Sequence, residues 1–468
     1  MKNMTRRSFL KRTSLAIGAA TALAPHAKAI GANDDLRLAT IGFHGQGSVH
    51  LGLLRELAGV RVAAVCDADS SVLDRGRKEA EKLGQKIDAY QDMRELFDNK
   101  NIDAVTVATP DHWHVLATIW ACQAGKDVYV EKPLSHNIWE GRQAVEAARK
   151  HDRIVQWGNQ EHGQRTGPMH LEREGLGKIR VVFASLNRMR ESIGKVDGPQ
   201  TPPSSLDYDL WCGPSPLAPL MRKNLHYDWH WVWPTGTGEI GNNGIYPLDA
   251  MRLQLGQSVL PKRVMSLGGR FLFDDDGETP NTQIALLQYD PGPLVIFEVR
   301  NLPSEKGPKT MDSKAKYEKG ESRMPRAQGP AGDTGGFSAH KGHLFNFVSA
   351  VRSRKTSDLR APLIEGHLSS ALVHMANISY RLGTPHSAEA AREAVQDQGS
   401  EAVEVFDGFR EHLTVNGVDF AKTQVVVGPW LEMDTQTERF VGNSPLVAKA
   451  NELARGTYRT PFVVPETV

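Results

Sequence analysis

Cysteine is nearly absent: Cys66, Cys122 and Cys212 are the only three in 468 residues. An odd count without metal spacing excludes a disulfide framework and a cysteine-based zinc site. Cys66 falls in an apolar strand pattern and Cys122 in a helical one, positions suited to core filling. No other group of His, Cys, Asp or Glu has ligand spacing, so no metal is expected. No stretch of the chain that would remain after removal of the leader described below is long and apolar enough to span a bilayer. Internal repeats are missing, which removes the solenoid and propeller classes. Hydrophobic content of 40% and charge of 24% are those of a soluble globular protein.

The N-terminus has the layout of a targeting segment. Thr5-Arg6-Arg7-Ser8-Phe9-Leu10-Lys11 is a twin-arginine pattern, followed by the weakly apolar SLAIGAATALA and the small-x-small Ala27-Lys28-Ala29. The order predicts a twin-arginine signal peptide over residues 1–29 and delivery to the periplasm or another exported compartment. A basic disordered tail would account for the charge but not for the order. Residues 1–29 hold six Lys and Arg and no acid, so their removal takes the formal net charge from +1 to −5. A nucleic-acid partner, which needs a basic face, is thereby disfavoured. A protein exported already folded can carry its cofactor with it.

From residue 36 the pattern alternates. Apolar runs at 36–42, 60–67, 104–109, 127–132 and 153–158 read as buried parallel strands, separated by helical segments near 48–58, 70–83, 113–124 and 138–151. Beyond about residue 160, strands at 178–188, 262–273, 281–290 and 292–301 follow without alternating helices, and a helical pair follows at about 339–354 and 365–382. The fold class is α/β: a doubly wound parallel sheet over 34–158, then an α+β domain with a largely antiparallel sheet over 159–385. Residues 303–336, rich in Lys, Gly, Ser and Pro, are expected to be a mobile loop. Residues 386–468 form a C-terminal extension. An exposed face of the second sheet would leave room for pairing into a homo-oligomer.

In the stretch TIGFHGQGSVH, residues 40–50, a strand leads through glycines to a helix. This nearly matches the dinucleotide-binding G-x-G-x-x-G, with His44 where the middle glycine belongs. Gly42 makes the turn, Gly47 permits close helix–strand packing, and Gly45 offers a bare backbone one residue late beside a helix N-terminus. His44 is expected beside the pyrophosphate or the nicotinamide ribose. Asp67 closes the second strand, 20 residues beyond Gly47, where an acid hydrogen-bonds the adenosine ribose. An acid there favours NAD, while NADP stays open; a solvated strand-end carboxylate is the plain alternative.

Two more strand ends carry chemistry. Thr109-Pro110-Asp111 leads into a helix bearing His112 and His114, which at a spacing of two do not share a face. Glu131-Lys132-Pro133 closes the apolar DVYV and places an ammonium in the sheet's ligand crevice.

Together, the Gly-rich turn, Asp67, Thr109-Pro110-Asp111 with His114, and Glu131-Lys132-Pro133 resemble the Gfo/Idh/MocA family of NAD(P)-dependent oxidoreductases, over about residues 36–385. The resemblance implies a Rossmann domain, a second domain whose sheet covers the nicotinamide, and a lysine, here Lys132, between nicotinamide and substrate. Cofactor contacts fall to Gly42, His44, Gly45, Gly47, Asp67, Thr109, Pro110, His114, Glu131 and Lys132. A second family motif, Asp-Ile-Gly-x-His-x-x-Asp, matches Asn242 to Asp249, with Asn242 for the first Asp and Tyr246 for the His. The Gly-Ile-Tyr-Pro stretch resembles the exported glucose–fructose oxidoreductase-like members.

Tyr246 stands before Pro247, a first-turn helix residue. The helix N-terminus and the Lys132 ammonium are expected to favour its phenolate, making Lys132 and Tyr246 the proton-handling pair. Asp249 is expected to orient Lys132 or a substrate hydroxyl. Trp229, His230 and Trp231 suit a platform for a sugar face or, equally, a core-packed strand, with Tyr227 as an extension. Asn159 and His162, after a strand end, and Asn242 are further candidates for substrate hydroxyls.

The expected activity is oxidation or reduction of a sugar, polyol or glycoside at a carbinol carbon, with tightly held NAD. Two alternatives stand beside it: transient oxidation enabling glycoside cleavage or epimerisation, and a non-catalytic sugar-binding protein.

Overall fold

The computed structural model describes residues 35–162, 172–305, 307, 309–323 and 337–468. The expected leader, residues 1–29, lies outside them. Six parallel strands form the first sheet: β1 (Leu36–Ile41), β2 (Val60–Cys66), β3 (Asp88–Tyr90), β4 (Ala104–Val107), β5 (Asp127–Glu131) and β6 (Val155–Gly158), in the order β3-β2-β1-β4-β5-β6. Helices α1 (Gln46–Arg55), α2 (Ser70–Lys82), α3 (Met93–Asp98), α4 (His114–Gln123) and α5 (Ile138–Lys150) connect them.

Capping fixes several of these starts. Asp69, Asp92 and Asn137 each accept a backbone N–H from the first turn of α2, α3 and α5. β3 and α3 were not expected from the sequence, because three residues of strand leave no apolar run to read. Strand order reverses between β1 and β4, so the carboxyl ends of these strands open a ligand crevice.

Among the described residues the second sheet has 11 strands. These are β7 (Glu172–Arg173), β8 (Gly177–Arg188), β9 (Arg263–Gly269), β10 (Thr282–Gln288), β11 (Leu294–Arg300), β12 (Lys309–Tyr317), β13 (Gly320–Arg323), β14 (Thr384–His386), β15 (Val425–Val427), β16 (Leu431–Asp434) and β17 (Arg439–Val441). Its pairings are antiparallel except β8 with β11. The remaining helices are α6 (Tyr208–Cys212), α7 (Gly238–Asn242), α8 (Ile245–Gln254), α9 (Phe337–Ser353), α10 (Leu363–Arg381), α11 (Ala388–Gln396), α12 (Ser400–Val415) and α13 (Leu446–Arg455).

Alternation along the strands sends one set of side chains, such as Val182, Ala184 and Phe297, against α8 and α10. The opposite set, such as Val181, Phe183 and Ile296, packs under Phe406 and Phe409 of α12. α10 also packs on α5, so one continuous core joins the two domains.

Three expectations change. The loop expected over 303–336 contains β12 and β13, with β12 paired along nearly all of β8. Lys314 and Lys316 alternate with the buried Ala315 and Tyr317, and burial of one face, not composition, decides the strand. Residues 306, 308 and 324–336 of that loop lie outside the described residues. The extension from 386 is no appendage: β15 adds to β9, and α11 and α12 cover the sheet face expected to be open for self-pairing. Finally, α9 crosses back, and its Leu344, Phe347 and Val348 complete the core under β1 and α1.

Candidate active site

A cleft of about 450 Å³ runs along the carboxyl ends of β1, β2, β4 and β5 and beneath the second domain. That volume suits a small-molecule or cofactor site. Gly42, His44, Gly45, Gln46, Asp67, Thr109, Pro110, Asp111, His114, Glu131 and Lys132 line it from the first domain. Trp211, His226, Tyr227, Trp229, His230, Asn242, Tyr246 and His340 line it from the second.

The glycine-rich loop fits an anion. Gly42 has φ +72°, and a Cβ there would stand 2.9 Å from the Thr109 backbone. A Cβ on Gly47 would stand 2.0 Å from the Gly42 carbonyl oxygen, so Gly47 serves helix–strand packing and does not line the cleft. Gly45 precedes α1 with no side-chain cap on its N–H groups, and a Cβ there would meet no protein atom within 4 Å. The bare backbone thus faces open cleft beside uncapped helix donors, as a pyrophosphate requires. His44 is placed by a second-domain side chain, stacking on the His226 ring at 4.3 Å between centroids. Burial, His226 and Arg75 lower its pKa. Asp67 accepts from the Phe43 and Asp69 N–H groups at 3.1 Å each, and burial lifts its pKa to about 6.

Glu131 organises the floor. Its Oε1 lies 2.9 Å from His50 Nε2 and 3.3 Å from Gln46 Nε2, both on α1, and its Oε2 accepts from the Lys132 N–H at 3.2 Å. Burial alone would raise this carboxyl, but His50 and the Lys132 charge hold it down to about 2. His114 presents Nδ1 to the Pro133 carbonyl at 2.7 Å and Nε2 to the Thr109 carbonyl at 2.9 Å. It therefore ties the two functional turns together, while burial lowers its pKa.

Lys132 is the reactive-looking group. Its Nζ donates to the Asn242 carbonyl at 2.6 Å and to Asn242 Oδ1 at 3.1 Å, and stands 5.5 Å from the centre of the Tyr246 ring. Burial lowers its pKa against the pull of Glu131, Asp111 and Glu239. Asp111 shares the cleft. Its Oδ2 accepts from Thr237 Oγ1 at 2.8 Å, and burial pushes it up to about 7.

Several expected roles are revised. Tyr246 lies in the first turn of α8, yet burial and the Glu131 and Glu161 charges push its pKa up, so the phenol stays protonated. A helix N-terminus does not outweigh desolvation here. Asp249 is fully buried outside the cleft lining and does not orient Lys132; Asn242 does. The Asp249 carboxylate accepts from Asn159 Nδ2 at 2.9 Å and Ser369 Oγ at 2.8 Å, and lies 3.0 Å from His162 Nδ1. Asn159 and His162, expected at substrate, place their side chains in this buried knot. The Trp229–Trp231 stretch is a short 3-10 turn, not a strand. Trp229 stacks on His230 at 3.6 Å and both line the cleft, whereas Trp231 is buried away from it.

Sequence reasoning quoted Asp111 without giving it a role, and missed Gln46, His50, Trp211, His226 and His340 as cleft or floor residues. Asp111 had a signal, since it follows Thr109-Pro110 at a strand end. Trp211, His226 and His340 had none, coming from segments without periodicity or from a helix returning across the chain. Among the described residues, no group of three or more His, Cys, Asp and Glu could hold a metal ion.

Two family models match the chain. Residues 36–159 match "Oxidoreductase family, NAD-binding Rossmann fold", and residues 191–413 match "Oxidoreductase family, C-terminal alpha/beta domain", both of the Gfo/Idh/MocA type. A curated relative, Glycosyl hydrolase family 109 protein 2 of Shewanella sp. (strain ANA-3), is 33% identical over 172 residues, 32% of this chain and 38% of that protein. Inositol 2-dehydrogenase 1 of Saccharopolyspora erythraea is 35% identical over 124 residues, 24% of this chain and 36% of that protein. The chain thus spans well under half the length of these relatives. Among solved structures, the WlbA dehydrogenase from Bordetella pertussis in complex with NADH and UDP-GlcNAcA shares the fold at TM-score 0.52 and 17% identity, over 73% of this chain and 97% of that one. Myo-inositol dehydrogenase from Lactobacillus casei in complex with NAD(H) and myo-inositol does so at 0.51 and 17%, over 74% and 95%.

Proposed function

From the chain's membership of the Gfo/Idh/MocA oxidoreductase family, we propose that it transfers hydride at a carbinol carbon of a sugar, polyol or glycoside. The observation that carries this reading is the Lys132 ammonium, held by Asn242 of the other domain beside the Tyr246 ring in a cleft that continues into the glycine-rich loop. Gly42 to Gln46 would hold the pyrophosphate of NAD and Asp67 its ribose. NAD, when bound, supplies the nicotinamide that accepts or returns a hydride.

The chain's own residues manage the proton. A lysine with a lowered pKa stands as the free amine in a larger fraction near neutrality than an ordinary one, and only that form can take a hydroxyl proton. The protonated Tyr246 phenol donates a hydrogen bond to the same oxygen. Trp229 and His230 offer a stacked aromatic surface to a sugar face. Curated relatives named as glycosyl hydrolases favour a second reading: transient oxidation at one carbon would allow the glycosidic alcohol to leave by elimination, water would add to the unsaturated ketone so formed, and return of the hydride would leave the cleaved sugar with no net change in NAD.

Mass spectrometry of nucleotide released from purified protein, followed by a sugar and glycoside panel, tests these readings. Bound or bindable NAD(H) is expected, with NADP disfavoured by Asp67. Net reduced nicotinamide supports the dehydrogenase; cleaved glycoside without it supports the second reading. Lys132→Ala should lower turnover by about 10²–10⁴-fold while leaving nucleotide bound; an unaffected rate removes Lys132 from the chemistry.

The twin-arginine pattern at Arg6-Arg7 supports export with the cofactor already in place. Replacing both arginines by lysine should retain the protein in the cytoplasmic fraction. Unchanged fractionation would remove the pattern from its targeting.

A further inference from the structure

The cleft has a second wall, built by residues 205–231. This segment lies across the carboxyl ends of the first sheet. Ser70 N donates to the Ser205 carbonyl at 2.8 Å and Asp207 N to the Ala68 carbonyl at 3.0 Å, making a bridge between Asp69 and Leu206. Trp113 Nε1 donates to the Leu210 and Trp211 carbonyls at 3.1 Å. Inside the segment, Leu206, Trp211, Cys212, Leu220 and Leu225 make a small core of their own. Outside it, Arg459 from the end of the chain donates to Asp209 Oδ1 at 2.5 Å and to the Gly213 carbonyl at 3.2 Å.

One side chain joins this wall to the nucleotide loop. His226 Nε2 lies 3.2 Å from Asp69 Oδ2, at the turn after β2. The same imidazole stacks on His44 of the glycine-rich loop, at 4.3 Å and 10° between planes. His44, Asp67, Trp211 and His226 all line the one cleft.

We infer that residues 205–231 belong to the dinucleotide site as a strap enclosing bound NAD(H), and that the His44–His226 stack holds the strap shut. The inference rests on the NAD-binding reading above. A dinucleotide seated between the loop and the strap leaves only when that stack parts. The strap therefore governs the rate of release, not merely affinity. It also accounts for the histidine in place of the middle glycine: His44 supplies a ring to close on, and Gly45 keeps the backbone bare.

The test loads purified full-length protein with NADH, adds excess NAD⁺ and follows loss of bound-NADH fluorescence. His226→Ala should release NADH about tenfold faster or more than the wild type. His226→Phe, which keeps a ring against His44, should stay within about threefold of it. His44→Ala, which opens the stack from the other side, should match His226→Ala, and thermal melting identifies any variant that fails to fold. Wild-type release rates in both alanine variants overturn the strap while leaving NAD binding standing. His226→Phe releasing as fast as His226→Ala overturns the stack as the closure. A wild-type protein that neither carries nor binds NAD(H) or NADP(H) overturns the NAD reading and the strap together.

Discussion

The ammonium of Lys132 is held by both oxygens of one residue, Asn242, at 2.6 Å and 3.1 Å. Lys132 follows β5 of the first domain and Asn242 ends α7 of the second, so this contact sets the two domains around the reacting position. A neutral partner gives the lysine direction without a counter-charge. Glu131, Asp111 and Glu239 favour its charged form, Arg190 opposes it, and burial leaves it below the ordinary lysine value.

Asn242→Asp would add a carboxylate within hydrogen-bond distance of that ammonium. The nearby negative charge favours the protonated amine and must raise the Lys132 pKa. The pH at which Lys132 becomes reactive to acetic anhydride, followed by peptide mass spectrometry, should move upward. An unmoved profile would mean that Asn242 does not set the charge of Lys132.

Tyr246→Phe removes a hydrogen-bond donor, not a base, because burial keeps the phenol protonated. Once a substrate is in hand, turnover should fall about tenfold, the cost of roughly one hydrogen bond to a developing charge. The pH profile should keep its shape. Loss of a titrating limb in the variant would instead restore the phenolate.

The first sheet was legible because buried parallel strands read as continuous apolar runs, and four of the functional turns sit at their carboxyl ends. That logic placed Lys132 and Asp67 at strand ends that line the cleft. Asp249, Asn159 and His162 were misjudged together, since their knot forms between a strand end, α8 and α10, which no spacing in the chain reveals. The wall at 205–231 was illegible for a related reason. It is held by a small internal core without any sequence period and by docking to Ala68, Trp113 and Arg459, distant in sequence.

Gly213→Ala should loosen that wall. Gly213 has φ +49°, and a Cβ there would stand 2.1 Å from the Trp113 indole. Backbone strain and steric overlap act in the same direction. A lower melting temperature, with faster proteolysis within 205–231, is the expected result; wild-type resistance would show that the docking against Trp113 carries little.

His50→Ala probes the floor of the site. Glu131 is held at about 2 by His50 and Lys132, below its ordinary value of 4.5. A depressed carboxyl contributes stability that is fully present above about 4.5 and is lost as pH falls toward about 2. Removing His50 leaves the buried carboxylate short of a hydrogen-bond partner, a change that costs about 1–3 kcal/mol at neutral pH. In the variant Glu131 titrates at a higher pH and sheds its charge on mild acidification. The stability gap between wild type and His50→Ala, measured by urea unfolding, should therefore be widest near neutrality and narrow as the pH is lowered below the ordinary carboxylate value. A gap that stays constant across that range would show that His50 acts through packing against Tyr129, 5.2 Å away between ring centres, and not through charge.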